Sequence, residues 1–129
     1  MKYKITLFLS SLLVFIFIGT NGLSAADKEP VGKWKFSAPD APYGYNQGII
    51  EIIKEADEYS ARLSFSGMDY KYDLEKVKYE EEKISFSIYL EGENIFVLLT
   101  FNDEDNISGK ASYSMGEIPL YATRQKDEQ

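Results

Sequence analysis

From Ile84 onward apolar and polar side chains alternate one for one, and this period constrains the fold more than anything else in the chain. Ile84, Phe86, Ile88 and Leu90 take every second position, with Ser85, Ser87 and Tyr89 between them. After Glu91-Gly92-Glu93-Asn94 comes the run Ile95 to Phe101. After Asn102-Asp103-Glu104-Asp105, the residues Ile107, Gly109, Ala111 and Tyr113 alternate with Ser108, Lys110, Ser112 and Ser114. Successive side chains of a strand point to opposite faces, so a period of two marks half-buried strands. Turn residues at a spacing of roughly 8–12 positions join such strands as antiparallel hairpins.

The same reading extends upstream. Val31 to Ser37 is the first strand, with Trp34 and Phe36 on one face and Lys33 and Lys35 on the other. Ala38 to Asn46 is a loop, because Pro39, Pro42 and Gly44 fix the backbone and deny it ladder donors. Gln47 to Glu55 is the second strand, and Tyr59, Ala61, Leu63 and Phe65 line one face of the next. Tyr70, Tyr72 and Leu74 then share a face, but Val77 and Tyr79 are out of phase with them by one residue. One extra residue swaps the faces of a strand, which predicts a bulge or a break near Glu75-Lys76. Ile118, Leu120 and Ala122 form the last strand.

The fold class is therefore all-β: an eight- to nine-stranded antiparallel up-and-down meander, nine if the break near Glu75 divides a strand. All connections except Ala38 to Asn46 are short, so neighbours in sequence are neighbours in the sheet. Eight such strands can close into a barrel, which abolishes exposed edges and leaves an interior wide enough for side chains or one small ligand.

The first 26 residues read as a secretory signal peptide and residues 27–129 as a single domain. Lys2 and Lys4 precede an almost wholly apolar run of 14 residues, Ile5 to Ile18, and Ser24-Ala25-Ala26 supplies the small residues of a cleavage site. The run is shorter than the roughly 20 residues a spanning helix needs, so no integral membrane span is expected after cleavage. The sequence has no cysteine, which excludes lipid attachment at a signal-peptide cysteine and excludes disulfides. The expected location is exported, periplasmic or extracellular, and not as a lipoprotein. Cleavage after Ala26 leaves 103 residues with 12 basic and 21 acidic side chains, a balance that repels nucleic acid and anionic lipid heads.

Catalytic chemistry has little to work with. Without histidine or cysteine there is no Ser-His-Asp or Cys-His nucleophile, and the usual ligands of zinc are missing. The acids crowd the turns at Asp57-Glu58, Glu80-Glu81-Glu82 and Asp103-Glu104-Asp105, where solvation leaves them unsuited to acid–base work. Asn102 to Asn106 fails as an EF-hand loop, since Ile107 and Ser114 stand where ligands are required. No enzyme, metal or cofactor is expected.

Aromatic side chains are in excess: residues 27–129 hold nine tyrosines, five phenylalanines and Trp34. Tyrosine pairs an apolar ring with a polar tip, which suits a cavity lining or a carbohydrate platform. Tyr43 and Tyr45 lie in the Pro/Gly loop, where strand propensity does not account for them. Gly109, Ala111 and Ala122 are small enough to leave room opposite Trp34, Phe65 and Phe86.

Gly32-Lys33-Trp34 at the first strand resembles the G-x-W of lipocalins and related calycin barrels. Arg124, just after the last strand, resembles the arginine that packs across that tryptophan in the same superfamily. The chain as a whole is similar to small secreted lipocalin-like domains of bacteria. The resemblance implies a barrel whose first and last strands are tied by a cation–π contact, typically ~0.5–2 kcal/mol, and a pocket inside it.

These readings converge on an exported, non-enzymatic protein that binds a small apolar or amphipathic ligand in the barrel. The candidate ligand-binding residues are Trp34, Tyr43, Tyr45, Tyr70, Tyr72, Phe86 and Tyr113. Two alternatives stand beside this one: an interaction module with a filled barrel, and carbohydrate capture by the loop tyrosines. Ile49 to Ile53 and Ile95 to Leu99 are apolar on both faces, so a homodimer through the outer faces is a further expectation.

Overall fold

The computed structural model describes residues 28–126; the signal segment expected over residues 1–26 lies outside them. Nine antiparallel strands run in order: β1 (Gly32–Ser37), β2 (Gln47–Glu55), β3 (Glu58–Phe65), β4 (Tyr72–Asp73), β5 (Glu75–Glu80), β6 (Lys83–Leu90), β7 (Glu93–Asp103), β8 (Asn106–Tyr113) and β9 (Gly116–Arg124). They form one sheet in the order β4-β3-β2-β1-β9-β8-β7-β6-β5, so the first strand pairs with the last and the meander curls into a nearly closed barrel. Among the described residues there is no helix, and hence none long and apolar enough to cross a membrane.

The period of two sets the two faces. Trp34, Phe36, Ile50, Ile52, Leu63, Phe65, Ile84, Phe86, Ile88, Val97, Leu99 and Phe101 all point inward and are buried, and among the described residues no polar or charged side chain is buried with them. Alternate residues face out, and opposite charges meet there in a cross-strand row. Lys33 stands opposite Glu51, Glu51 opposite Arg62, and Arg62 opposite Asp73. Such neighbours on one sheet face support the register.

Tight hairpins carry the meander. The loops Ala56-Asp57, Glu81-Glu82 and Glu91-Gly92 each place two consecutive residues at positive φ, the left-handed geometry whose twist matches the flanking strands. At Gly109 the backbone of β7 comes so close that a Cβ would lie 1.8 Å from the Leu98 carbonyl oxygen. Glycine at this position lets the sheet bend into a barrel wall.

The phase slip expected near Glu75-Lys76 is the seam of the barrel. Lys76 has φ 56°, the β5–β6 register shifts between Glu75 and Lys78, and the two-residue β4 is separated from β5 only by Leu74. The Leu74 N–H donates to the Ala61 carbonyl at 2.9 Å. Tyr79 of β5 packs edge-to-face on Tyr59 of β3, with ring centroids 5.7 Å apart. Beyond the two-residue β3–β4 ladder, this hydrogen bond and ring contact join β3 to the start of β5 where the two ends of the sheet meet.

Candidate functional site

The barrel has one plugged end and one open end. At the plugged end Trp34 is fully buried and packs edge-to-face against Phe101 at 5.7 Å. Its indole N–H donates to the Pro30 carbonyl at 2.9 Å. The Arg124 guanidinium lies over the indole, 4.4 Å from the ring centroid, as the resemblance to calycin barrels implies. Arg124 does more than stack. It donates to the carbonyls of Val31 at 2.9 Å, Glu29 at 2.8 Å and Glu104 at 2.9 Å, and pairs with Asp105 at 3.2 Å. The Tyr79 hydroxyl donates to the Lys28 carbonyl at 2.5 Å, and burial raises its pKa above the ordinary 10.0. Residues 28–31, the lead-in to β1, are therefore strapped across the barrel's end, with Pro30 fully buried as part of the plug; Val31, read from the sequence as the start of the first strand, precedes β1.

At the other end lies an open-mouthed cavity of about 240 Å³. Phe65, Phe86, Ile88, Val97, Ala111 and Leu120 are among the side chains that wall it. The loop between β1 and β2 folds over the mouth. The Ala41 N–H bonds the Ala38 carbonyl at 3.0 Å and the Tyr45 N–H bonds the Pro42 carbonyl at 2.9 Å. These two turns direct Ala38, Ala41, Pro42 and Tyr45 toward the cavity. The Tyr45 ring meets Phe65 edge-to-face at 5.0 Å, and its hydroxyl donates to the Glu91 carboxylate in the β6–β7 turn. That hydrogen bond holds the tyrosine proton and raises the Tyr45 pKa above its ordinary 10.0.

The seven candidate residues separate along the barrel axis. Tyr45, Phe86 and Tyr113 come together in the cavity wall. Trp34 lies outside that wall, in the plug. Tyr43 is 96 % exposed and projects from the loop into solvent. Tyr72 packs on Phe65 at 5.7 Å from outside the lining, and Tyr70, 64 % exposed, packs on Tyr72 at 4.7 Å. Of the small residues, Ala111 lines the cavity together with Phe65 and Phe86, whereas Gly109 and Ala122 do not line it. Glu91 and Glu93 do line it; the sequence shows them only as turn acids, and no periodicity marks which turn surrounds a mouth.

The acids of the β7–β8 turn are engaged locally. The Asp103 carboxylate accepts the Asp105 N–H at 2.9 Å and the Asn106 amide at 3.0 Å. These bonds, the backbone one foremost, hold its pKa below the ordinary 3.8. Asp105 pairs with Arg124 and with Lys126. The turn is a cap on a hairpin.

No family model matches the chain, and no curated protein matches it. Solved structures do share its shape. A redesigned β-barrel is 14% identical, with 74% of this chain and 91% of that one covered, at a TM-score of 0.56. Secretory abundant heat soluble protein 4 from Ramazzottius varieornatus is 16% identical over 74% of this chain and 94% of that one, at a TM-score of 0.53. The fold they share with this chain is a β-barrel. Identities this low speak to architecture alone, and the cavity must be read on its own residues.

Proposed function

We propose that this chain is an exported, non-enzymatic binding protein that holds one small apolar or amphipathic ligand in the open end of its barrel. The observation that carries the reading is the cavity of about 240 Å³, apolar along its walls and polar at its mouth. Its volume exceeds the ~150 Å³ in which an engineered apolar cavity holds benzene and falls short of the ~300 Å³ at which drug-sized pockets begin. A single ring or a short alkyl chain suits that space. A site of this kind orients a ligand by a few polar groups at one end and binds it by burial of the rest.

The test is titration calorimetry with toluene and 1-hexanol, a single ring and a short alkyl chain, with native mass spectrometry of freshly purified protein for co-purifying ligand. Uptake of both probes is expected. A protein that carries nothing and takes up no apolar probe overturns the reading and favours the filled interaction module. For that alternative the supporting observation is Phe96 and Leu98, which point outward from β7 and are 48% and 40% exposed. Self-association through them would appear as a dimer in light scattering. The loop tyrosines do not form a shared carbohydrate platform, because Tyr45 turns to Phe65 and Glu91 while Tyr43 turns to solvent.

A further inference from the structure

We infer that the ligand is a cationic amphiphile, an alkyl- or arylalkylammonium whose apolar body fills the cavity and whose charged head sits between Glu91 and Glu93. This rests on the binding reading above and adds the sign of the ligand's charge. The site is the cavity itself; the carboxylates decide which end group it accepts.

Four ionisable side chains line the cavity, namely Glu91, Glu93, Tyr45 and Tyr113, and no lysine or arginine does. Glu91 and Glu93 flank Gly92 in the hairpin turn, and the left-handed conformation of Glu91 and Gly92 brings both acids to one rim. Each is held by one oxygen. The Tyr45 hydroxyl donates to Oε2 of Glu91, and the Ser114 backbone N–H donates to Oε1 of Glu93 at 3.1 Å. Among the described residues the second oxygen of each carboxylate accepts no hydrogen bond and is left for a ligand's donor.

Among the described residues neither acid is in a salt bridge. By contrast Glu82, Asp73, Glu117 and Asp105 all pair with lysine or arginine. The mouth therefore carries uncompensated negative charge beside an apolar cavity, with the Tyr45 and Tyr113 rings next to it. Aromatic rings attract cations, and a fatty-acid head would meet two carboxylates and no cation. An ammonium offers each carboxylate a charge-assisted donor, and the acidic protein steers cations toward itself.

Titration calorimetry near neutral pH with octylamine, octanol and octanoate tests this, on the unaltered chain and on a Glu91→Gln/Glu93→Gln double variant. Glutamine keeps the shape and still accepts the Tyr45 and Ser114 donors. The expected order is octylamine tighter than octanol, and octanol tighter than octanoate. Octylamine should exceed octanoate by roughly tenfold or more, the combined scale of two partly exposed ion pairs, with a preference that weakens in salt. In the double variant the preference for octylamine over octanoate should fall toward unity. Equal binding of all three by the unaltered chain overturns the charge assignment and leaves the cavity reading intact. A preference for amine that survives the double substitution overturns the placement of the head at Glu91 and Glu93. Binding of none of the three overturns both this inference and the reading beneath it.

Discussion

Arg124→Ala should be among the most damaging single changes at a partly exposed position, and the structure says why. The guanidinium stacks on Trp34 at 4.4 Å, a contact worth ~0.5–2 kcal/mol depending on desolvation. It also binds three backbone carbonyls that no other side chain serves among the described residues. Hydrogen bonds to a charged group contribute about 1.5–3 kcal/mol when buried, but this side chain is 21% exposed and water would replace part of what is lost. A combined loss of about 2–4 kcal/mol follows. Trp34→Ala should lose roughly 3–5 kcal/mol, because it empties a fully buried site. The double variant should lose about 1–2 kcal/mol less than the sum, since contacting groups couple. Arg124→Lys keeps the charge but loses the planar fork, so it should recover well under half of the deficit. Urea unfolding of the unaltered chain and these four variants measures all of this. For a domain of this size each kcal/mol also moves the Tm by about 4–8 °C. A coupling near zero, or an Arg124→Ala protein with an unchanged midpoint, would refute the argument that the guanidinium fastens residues 28–31 over the barrel.

Three further changes probe other parts of the molecule. Ala111→Leu should fill space in the cavity that Phe65 and Phe86 also line, abolishing toluene binding in titration calorimetry with the Tm unchanged or raised; retained binding would place the ligand elsewhere. Replacing Ala56-Asp57 by Asn-Gly suits the left-handed φ of both residues and should raise stability by about 1 kcal/mol in urea unfolding. Asp103 has a folded pKa held below its ordinary 3.8, so its contribution is present above the ordinary value and disappears as pH falls through the folded one. The stability gap between the unaltered chain and Asp103→Asn should therefore close below about pH 4, and a gap constant from neutral pH to strong acid would contradict this.

Much of the architecture was legible because a period of two carries face information directly. It separated Trp34 and Phe36 from Lys33 and Lys35, and the one-residue slip between Leu74 and Val77 located the seam. What alternation cannot encode is height along the barrel axis. Trp34 and Phe86 both point inward, yet one belongs to the plug and the other to the cavity, and only strand tilt and register decide which. Residues 28–31 were opaque for another reason. They are held mainly through backbone carbonyls, which every residue has, so no side-chain pattern announces the strap. Tyr43 and Tyr45 differ because two turns within the loop rotate one ring inward and the other out. Glu91 and Glu93 looked like any hairpin acids, since a turn reads the same at either end of a barrel.

The pairing of β1 with β9 also sets an order of events in time. Contacts between Arg124 and the lead-in span 93 and 95 residues of chain, whereas each hairpin closes over a few. Long loops close late and slowly, so β2 through β9 can zip up while the outer edge of β1 still waits for its partner. During that interval the edge of Gly32–Ser37 is a template on which a second chain could add a strand. Lys33 and Lys35 stand on it, and charged side chains on an open edge discourage such pairing. On the finished barrel Lys35 lies opposite Thr123 of β9. Its charge matters most before that partner arrives.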